Sequence, residues 1–355
     1  MTSAQIVQHL QPGGIEALAL TLMEQQQGSI IISLEGAPQQ AITQWPRLAP
    51  FRDRIFFLGK PSGFSIGTIK KLKEILLSHK VNAIHTHHIG PFIYGGIAAA
   101  LNGIRKHVHT EHDGWHLQNA KHSGIQRCLN VLLQPTLVAD AKQVAQAIKA
   151  STGAKSQIIY NGIDTEKFHP CESEINKYTL RLNWGLESTQ YLLGSAGRLE
   201  TVKGHEHLIR AVQHLPDTIS LALAGTGSCE QALKKLATSL NLQHRIHFLG
   251  HIDHTENFYR MLDGFCLPSL NEGFPLAPLE AQACNIPSIV SNVGGAAETL
   301  CPSSGIAVEP ANPRALADAI LKQSRAPKHA SPRPFICQNF SIDAMTNAYQ
   351  QLLSA

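Results

Sequence analysis

The sequence predicts an α/β protein made of two doubly wound, Rossmann-like domains, and three observations carry that expectation. Short apolar runs alternate with helical patterns throughout, as in parallel sheets covered by helices on both faces. The alternation fills two similar halves, and 355 residues suffice for two full cores. Between the halves, NGIDTEKFHPCESE (161–174) is polar and rich in turn residues.

In the first half, the apolar runs place strands at 4–10, 29–34, 54–58, 82–86, 106–110, 136–139 and 157–160. Helical patterns lie between them, notably over 14–27, 66–79, 91–102 and 141–150. The helix at 66–79 carries Ile66, Ile69, Leu72, Ile75 and Leu76 near one face, with Lys70, Lys71, Lys73 and Lys80 mostly elsewhere. Such a stripe either packs inward, the favoured reading, or lies on a bilayer. The second half places strands at 191–196, 219–224, 245–249, 264–267, 287–290 and 306–308. Helices are expected over 204–214, 229–240, 255–262, 276–284 and 313–323. The segment SRAPKHASPRP (324–334) is proline-rich and excludes a regular element, and 341–354 is helical again. The domains are therefore 1–165 and 166–330. Sheets of this kind place ligand crevices outside the carboxyl ends of their strands, so the active site is expected in the cleft between the halves.

Hydrophobic content of 43% and charged content of 16% suit a soluble globular protein. The seven cysteines are scattered and show no CxxC spacing, a pattern of reduced thiols in a cytosolic protein rather than a disulfide frame or zinc site. No basic-then-apolar leader opens the chain. The uncharged run His88–Ile104 is interrupted by Gly90, Pro91, Gly95, Gly96 and Gly103, and reads as a buried helix too short to span a bilayer. Residues 1–165 hold 15 Lys and Arg against 9 Asp and Glu, whereas the rest holds 15 against 17. The basic first half suits an anionic membrane surface or an acidic acceptor.

The densest chemistry lies in NEGFPLAPLEAQACNIPSIVSNVGGAAE (271–298), with Glu272 in a turn, Pro275 read as an early helical residue and Glu280 further along that helix. Backbone N–H groups and the helix dipole in a first turn suit a phosphate. Carboxylates suit sugar hydroxyls. Arg198 and Lys203 follow an apolar strand, where cations either neutralise a diphosphate or simply start a helix at the surface, and placement alone favours the second. Gly225 and Gly227 form a glycine-rich turn that permits close backbone approach to a ligand, although any tight strand-to-helix turn would need the same. Gly13 and Gly14 open the first helix, where glycine permits φ > 0 and close approach to a diphosphate or sugar; Glu16 complements the helix dipole. There are 19 histidines. His85 and His87 alternate on one strand and His107 and His109 on another, so each pair shares a face, with His112 in the loop beyond. A metal site from these rings, with Glu111 or Asp113, and a set of satisfied core imidazoles are both open on spacing alone.

Seven segments in order resemble the signature of glycosyltransferase family 4, nucleotide-sugar enzymes of the two-domain GT-B fold: PGGIE (12–16), HTEHD (109–113), IIYNGIDTEKFHP (158–170), GRLETVKG (197–204), LAGTGS (223–228), LGHIDH (249–254) and the paired-glutamate segment. The resemblance implies a retaining transferase that moves a hexose from a nucleoside diphosphate to an acceptor hydroxyl. By it, Arg198 and Lys203 hold the donor diphosphate and stabilise the leaving nucleotide. Glu280 accepts from the ribose, and Glu272 touches the transferred sugar. The N–H groups of Phe274, Leu276 and Ala277 approach sugar and phosphate, and Ile252 lies where backbone reads the base. His112 stands beside the anomeric carbon and C6 hydroxyl, with His109 as runner-up. The helix over 341–355 returns to the first domain. No DxD motif is present, so no metal is expected. No resident cofactor is expected either, the nucleotide sugar being a substrate. Family relatives build lipopolysaccharide, capsule or exopolysaccharide. The expected partners are thus the nucleotide-sugar donor and a saccharide or lipid-linked acceptor, with no nucleic acid, and the expected location is the cytoplasm or the inner face of the cell membrane. An epimerase or hydrolase on the same fold, and a noncatalytic partner subunit, are the alternatives.

Overall fold

A computed structural model describes residues 2–114, 117, 119–186, 191–326 and 331–354. The chain forms two compact units, Met1–Asn161 with Asp343–Ala355, and Gly162–Ile342.

Unit 1 holds a seven-stranded, all-parallel sheet of β1 (Ser3–Val7), β2 (Ile30–Ser33), β3 (Ile55–Phe57), β4 (Ala83–His87), β5 (Lys106–Glu111), β6 (Thr136–Ala139) and β7 (Gln157–Ile158). Their order across the sheet is β3-β2-β1-β4-β5-β6-β7. Helices α1 (Gly14–Gln25), α2 (Pro38–Gln44), α3 (Ile66–Ser78), α4 (Ile89–Leu101), α5 (Ala120–Leu133) and α6 (Lys142–Thr152) connect them. Strand alternation builds a core on each face. Ile30 and Ile32 pack with Leu72 and Leu76 of α3 and Ala98 of α4, while Ile31 meets Leu20 and Met23 of α1 on the other side. Each such buried side chain contributes about 1.5–3 kcal/mol. The stripe of α3 therefore faces inward through Ile69, Leu72 and Leu76, and the bilayer reading of that stripe is set aside.

Several expectations need correction. Strand β1 stops at Val7, not Leu10. Leu10 is buried because it packs with α1, so its apolar character reports burial rather than pairing. Helix α4 begins at Ile89, with Pro91 in the first turn, where a missing N–H costs little. Helix α2, the 3₁₀ stretch Pro46–Arg54 and helix α5 lacked a sequence signal. α2 buries only Ala41, and α5 exposes Val131 and Leu132 while burying Gln126, which inverts the usual periodicity.

Unit 2 repeats the layout with six parallel strands, β8 (Tyr191–Ala196), β9 (Ile219–Ala224), β10 (Ile246–Gly250), β11 (Gly264–Leu267), β12 (Ser288–Ser291) and β13 (Ile306–Val308), in the order β10-β9-β8-β11-β12-β13. Around them lie α7 (Glu174–Leu182), α8 (His205–Val212), α9 (Glu230–Ser239), α10 (Thr255–Arg260), α11 (Ala277–Ala283), α12 (Pro313–Arg325) and α13 (Arg333–Asn339). The irregular reading of 324–334 holds at 326, 331 and 332, with 327–330 outside the described residues, but helix α12 runs on to Arg325 and helix α13 takes in Arg333 and Pro334. The proline of α13 stands at the tolerated first positions, and the Arg333 guanidinium donates to the carbonyls of Thr165, Phe168 and Ala283. Helix α14 (Ile342–Ser354) packs on the sheet of unit 1, where Tyr349 is fully buried and its hydroxyl lies 3.1 Å from that of Thr110.

Helix α7 is pinned by a compact charge cluster. The Asp263 carboxylate accepts from Lys177 and Arg181, both at 2.6 Å, and from the Leu192 amide at 2.8 Å. Burial opposes ionisation, but the two cations hold this carboxyl below its ordinary range. Because the folded-state value is depressed, its stabilisation is present above the unfolded carboxyl pKa and is lost as pH falls through the folded one. Asp263→Asn is expected to cost about 3 kcal/mol at neutral pH, since the largely buried cluster loses the one carboxylate that both Lys177 and Arg181 meet. Urea titration reads this, and the gap to wild type should narrow on acidification.

Candidate functional site

The carboxyl ends of β8, β9, β11 and β12 send out four loops that clamp one another. Leu199 N–H donates to Thr226 (2.9 Å), Leu270 N–H to Val202 (2.8 Å) and Gly295 N–H to Gly273 (2.7 Å). Glycines allow these approaches. A Cβ on Gly225 (φ 133°) would strike the Gly197 carbonyl, one on Gly204 (φ 66°) the Pro268 carbonyl, and one on Gly294 (φ 53°) the Glu272 carbonyl. Gly227 packs likewise against the Leu199 backbone. Gly225 and Gly227 are thus explained by packing between loops, which fixes the segment bearing Arg198.

That framework brings Lys203 and Glu272 together. The Lys203 ammonium donates to Glu272 Oε1 at 2.6 Å, and the Ser269 hydroxyl donates to the same oxygen at 2.6 Å. Glu272 Oε2 has no protein donor among the described residues. Arg198 is exposed, and no described residue forms an ion pair with it. Glu280 stands in the first turn of α11, with Oε2 taking the Tyr259 hydroxyl at 2.7 Å and Oε1 without a protein donor among the described residues. Burial raises the Glu280 pKa, partly opposed by the Tyr259 bond. Each glutamate therefore has one oxygen held and one left for a ligand. Pro275 precedes the helix rather than opening it; Pro278 occupies the first turn instead. Leu276 and Ala277 head α11 with no side-chain cap, and Phe274 is buried against Phe340. Ile252 follows β10, half-buried, at the same end of the sheet. A cavity of about 400 Å³ near α7 and α10, lined by His169, Cys171, Asn257 and Arg260 among others, contains none of these residues. Sequence reasoning missed Ser269 and Tyr259. The first sits three residues before Glu272, a local cue, whereas nothing in the sequence links Tyr259 to Glu280.

In unit 1, Gly13 is extended (φ −167°, ψ 163°), which any residue adopts. The left-handed reason for glycine there is corrected: a Cβ would strike the Glu16 carboxylate, which folds back over Gly13 and pairs with His9 at 3.0 Å. Gly14 is the first residue of α1. The histidine pairs do share faces, but opposite ones. His85 lies 2.8 Å from the Thr110 hydroxyl, while His107 and His109 both reach Thr86 from the other side, at 2.9 Å each. A site using His85, His87 and His109 together is therefore excluded by the sheet itself. Among the described residues, no group of three or more His, Cys, Asp or Glu side chains is arranged to hold a metal. His109 is fully buried, bonded to Glu111 at 2.9 Å and stacked on Phe92. His112, 5% exposed, has both ring nitrogens engaged, by His87 at 3.0 Å and Asp140 at 3.3 Å. Its ring is committed to protein partners here, so neither ring nitrogen is open to a ligand. Burial holds His85 and His87 well below the ordinary imidazole range and His107 at about 3.

Two doubly wound sheets with loops gathered at their carboxyl ends define the GT-B class, and comparison bears this out. The chain matches the Anabaena HepE structure in complex with UDP at TM-score 0.88 over 100% of both chains with 19% identity. A glycosyltransferase from Rickettsia africae matches at TM-score 0.83 over 99% of this chain and 97% of that one with 22% identity. At such identities the likeness establishes the fold alone. The Glycosyltransferase Family 4 model matches residues 12–167, and the Glycosyl transferases group 1 model matches 177–331. The chain belongs to glycosyltransferase family 4. It is 31% identical, over 65% of this chain and 64% of the relative, to an Escherichia coli UDP-Gal:alpha-D-GlcNAc-diphosphoundecaprenol alpha-1,3-galactosyltransferase. The E. coli O-antigen biosynthesis glycosyltransferase WclY is 29% identical over 56% and 55%. These matches span less than two thirds of the relatives' own length. Among the described residues, no helix is long and apolar enough to cross a membrane.

Proposed function

We propose that this chain is a retaining glycosyltransferase that moves a hexose from a nucleoside-diphosphate sugar to an acceptor hydroxyl in bacterial cell-surface polysaccharide, lipopolysaccharide or exopolysaccharide synthesis. The observation that carries this reading is that Glu272, held through one carboxylate oxygen by Lys203 and Ser269, and Glu280, held through one by Tyr259, each keep a second oxygen without a protein donor among the described residues. In this reading Arg198 and Lys203 meet the diphosphate and stabilise the charge that develops as the nucleotide leaves. Glu280 accepts from the ribose, and Glu272 accepts from the transferred sugar while Lys203 couples it to the diphosphate. Leu276 and Ala277 add backbone donors. Ile252 lies beside the base, and Gly13 and Gly14 are further donor-binding candidates by the family resemblance. His112 orients the sugar through its backbone. UDP in HepE and UDP-Gal in the E. coli relative make uridine donors the first to test.

With two cations at the diphosphate, the reaction needs no metal and no resident cofactor in this reading. Unit 1 takes the acceptor, a saccharide or lipid-linked saccharide, and its basic balance favours peripheral contact with an anionic membrane from the cytoplasm. The test is transfer from a panel of nucleotide sugars to acceptors of these types, with the anomeric configuration of the product read by NMR. Acceptor-dependent transfer with retention, undiminished by EDTA, is expected. Free sugar released without acceptor dependence, inversion, or loss in EDTA restored by magnesium or manganese contradicts the corresponding part.

A further inference from the structure

Six histidines stand on β4, β5 and the residues just after them, and five are tied into the protein. His85 bonds Thr110, His87 bonds Gln5 and His112, His107 bonds Thr86, His109 bonds Thr86 and Glu111, and His112 bonds Asp140. His88 is the exception. Its ring is partly exposed and has no hydrogen bond to any described residue, lying edge-on to the His112 ring with centroids 5.6 Å apart. Its backbone is also unusual, at φ 68° and ψ 166° in a residue that is not glycine. Such strain persists where surrounding structure enforces it, often at functional sites. The position is telling: His88 directly follows β4, which neighbours β1 where the strand order reverses, and crevices in these sheets form there.

We propose that His88 meets the acceptor, its ring nitrogen taking a hydrogen bond from an acceptor hydroxyl and so positioning that oxygen for attack. This rests on the glycosyltransferase reading with the acceptor on unit 1. Burial, then the neighbouring His112, lowers the His88 pKa to about 4, so the ring is neutral near pH 7 and offers one nitrogen lone pair. The carboxylates of Asp113, Glu111 and Glu16 act on the same ring. A negative surround disfavours a phosphate and suits an uncharged hydroxyl. The donor's charge is matched instead by Arg198 and Lys203 in unit 2.

The test compares wild type, His88→Gly and His88→Asn. Glycine relieves the backbone strain, so His88→Gly should melt at or above the wild-type temperature. Its kcat/KM for the acceptor should fall at least tenfold, with donor KM within twofold of wild type. Asparagine, with an amide oxygen as acceptor, should recover part of the loss. Unchanged acceptor kinetics in His88→Gly overturns the proposal, as does a change confined to donor KM. A wild type that binds no nucleotide sugar contradicts the glycosyltransferase reading itself, and the proposal falls with it.

Discussion

Arg198→Ala and Lys203→Ala are each expected to lower kcat/KM for sugar transfer by about a hundredfold or more. Removing one preorganised contact to charge that develops in the transition state costs on the order of 3 kcal/mol. Their stability effects should differ, because their surroundings do. Arg198 is exposed with no ion-pair partner among the described residues, so its removal should leave melting unchanged. Lys203 neutralises Glu272, whose side chain is only 9% exposed, so Lys203→Ala should lower stability by about 1–2 kcal/mol. Arg198→Lys should rescue only in part, since it keeps the charge but loses the planar fork. Matched melting curves and transfer kinetics decide this. Near-normal transfer in both alanine variants would mean that the diphosphate is held elsewhere.

The second large effect is a kinetic split between the glutamates. Glu280→Ala should raise donor KM about tenfold or more, because a ribose contact is made in the ground state and the transition state alike. Glu272→Ala should mainly lower kcat, because its sugar contact strengthens as the bond to the diphosphate breaks. Its loss also frees Lys203 and Ser269 from the oxygen that holds them, adding to the fall. Equal, near-wild-type kinetics in both variants would contradict the assignment.

How much of this was legible in the sequence depends on how local the cause is. Both sheets were readable because fully buried parallel strands give short apolar runs such as Ile30–Ser33 and Ile219–Ala224. Arg198, Lys203, Glu272 and Glu280 stood out because they lie in short contiguous segments, GRLETVKG and NEGFPLAPLE, that resemble family motifs, whereas their spacing alone also fits ordinary surface charges. Helix α5 was hidden because it buries Gln126 and exposes Val131 and Leu132. The alternation of His85, His87, His107 and His109 correctly gave shared faces within each pair. Which side each pair takes depends on register: Thr86 stands opposite His109, a pairing no single strand encodes. Tyr259, Asp140 and His88 were invisible for related reasons. The first two act on partners 21 and 28 residues away, and the last is marked by a backbone angle.

The central claim, that unit 2 binds a nucleoside-diphosphate sugar through these loops, is tested most directly by one melting series. Wild type and the Arg198→Ala variant, which should share a melting temperature without ligand, are titrated with UDP- and GDP-sugars. At a ligand concentration of a hundred times Kd, the wild type should gain about 2.7 kcal/mol of stability with at least one donor, and the variant should need far more ligand for the same gain. No shift with any donor, or the same titration curve in both proteins, contradicts the account.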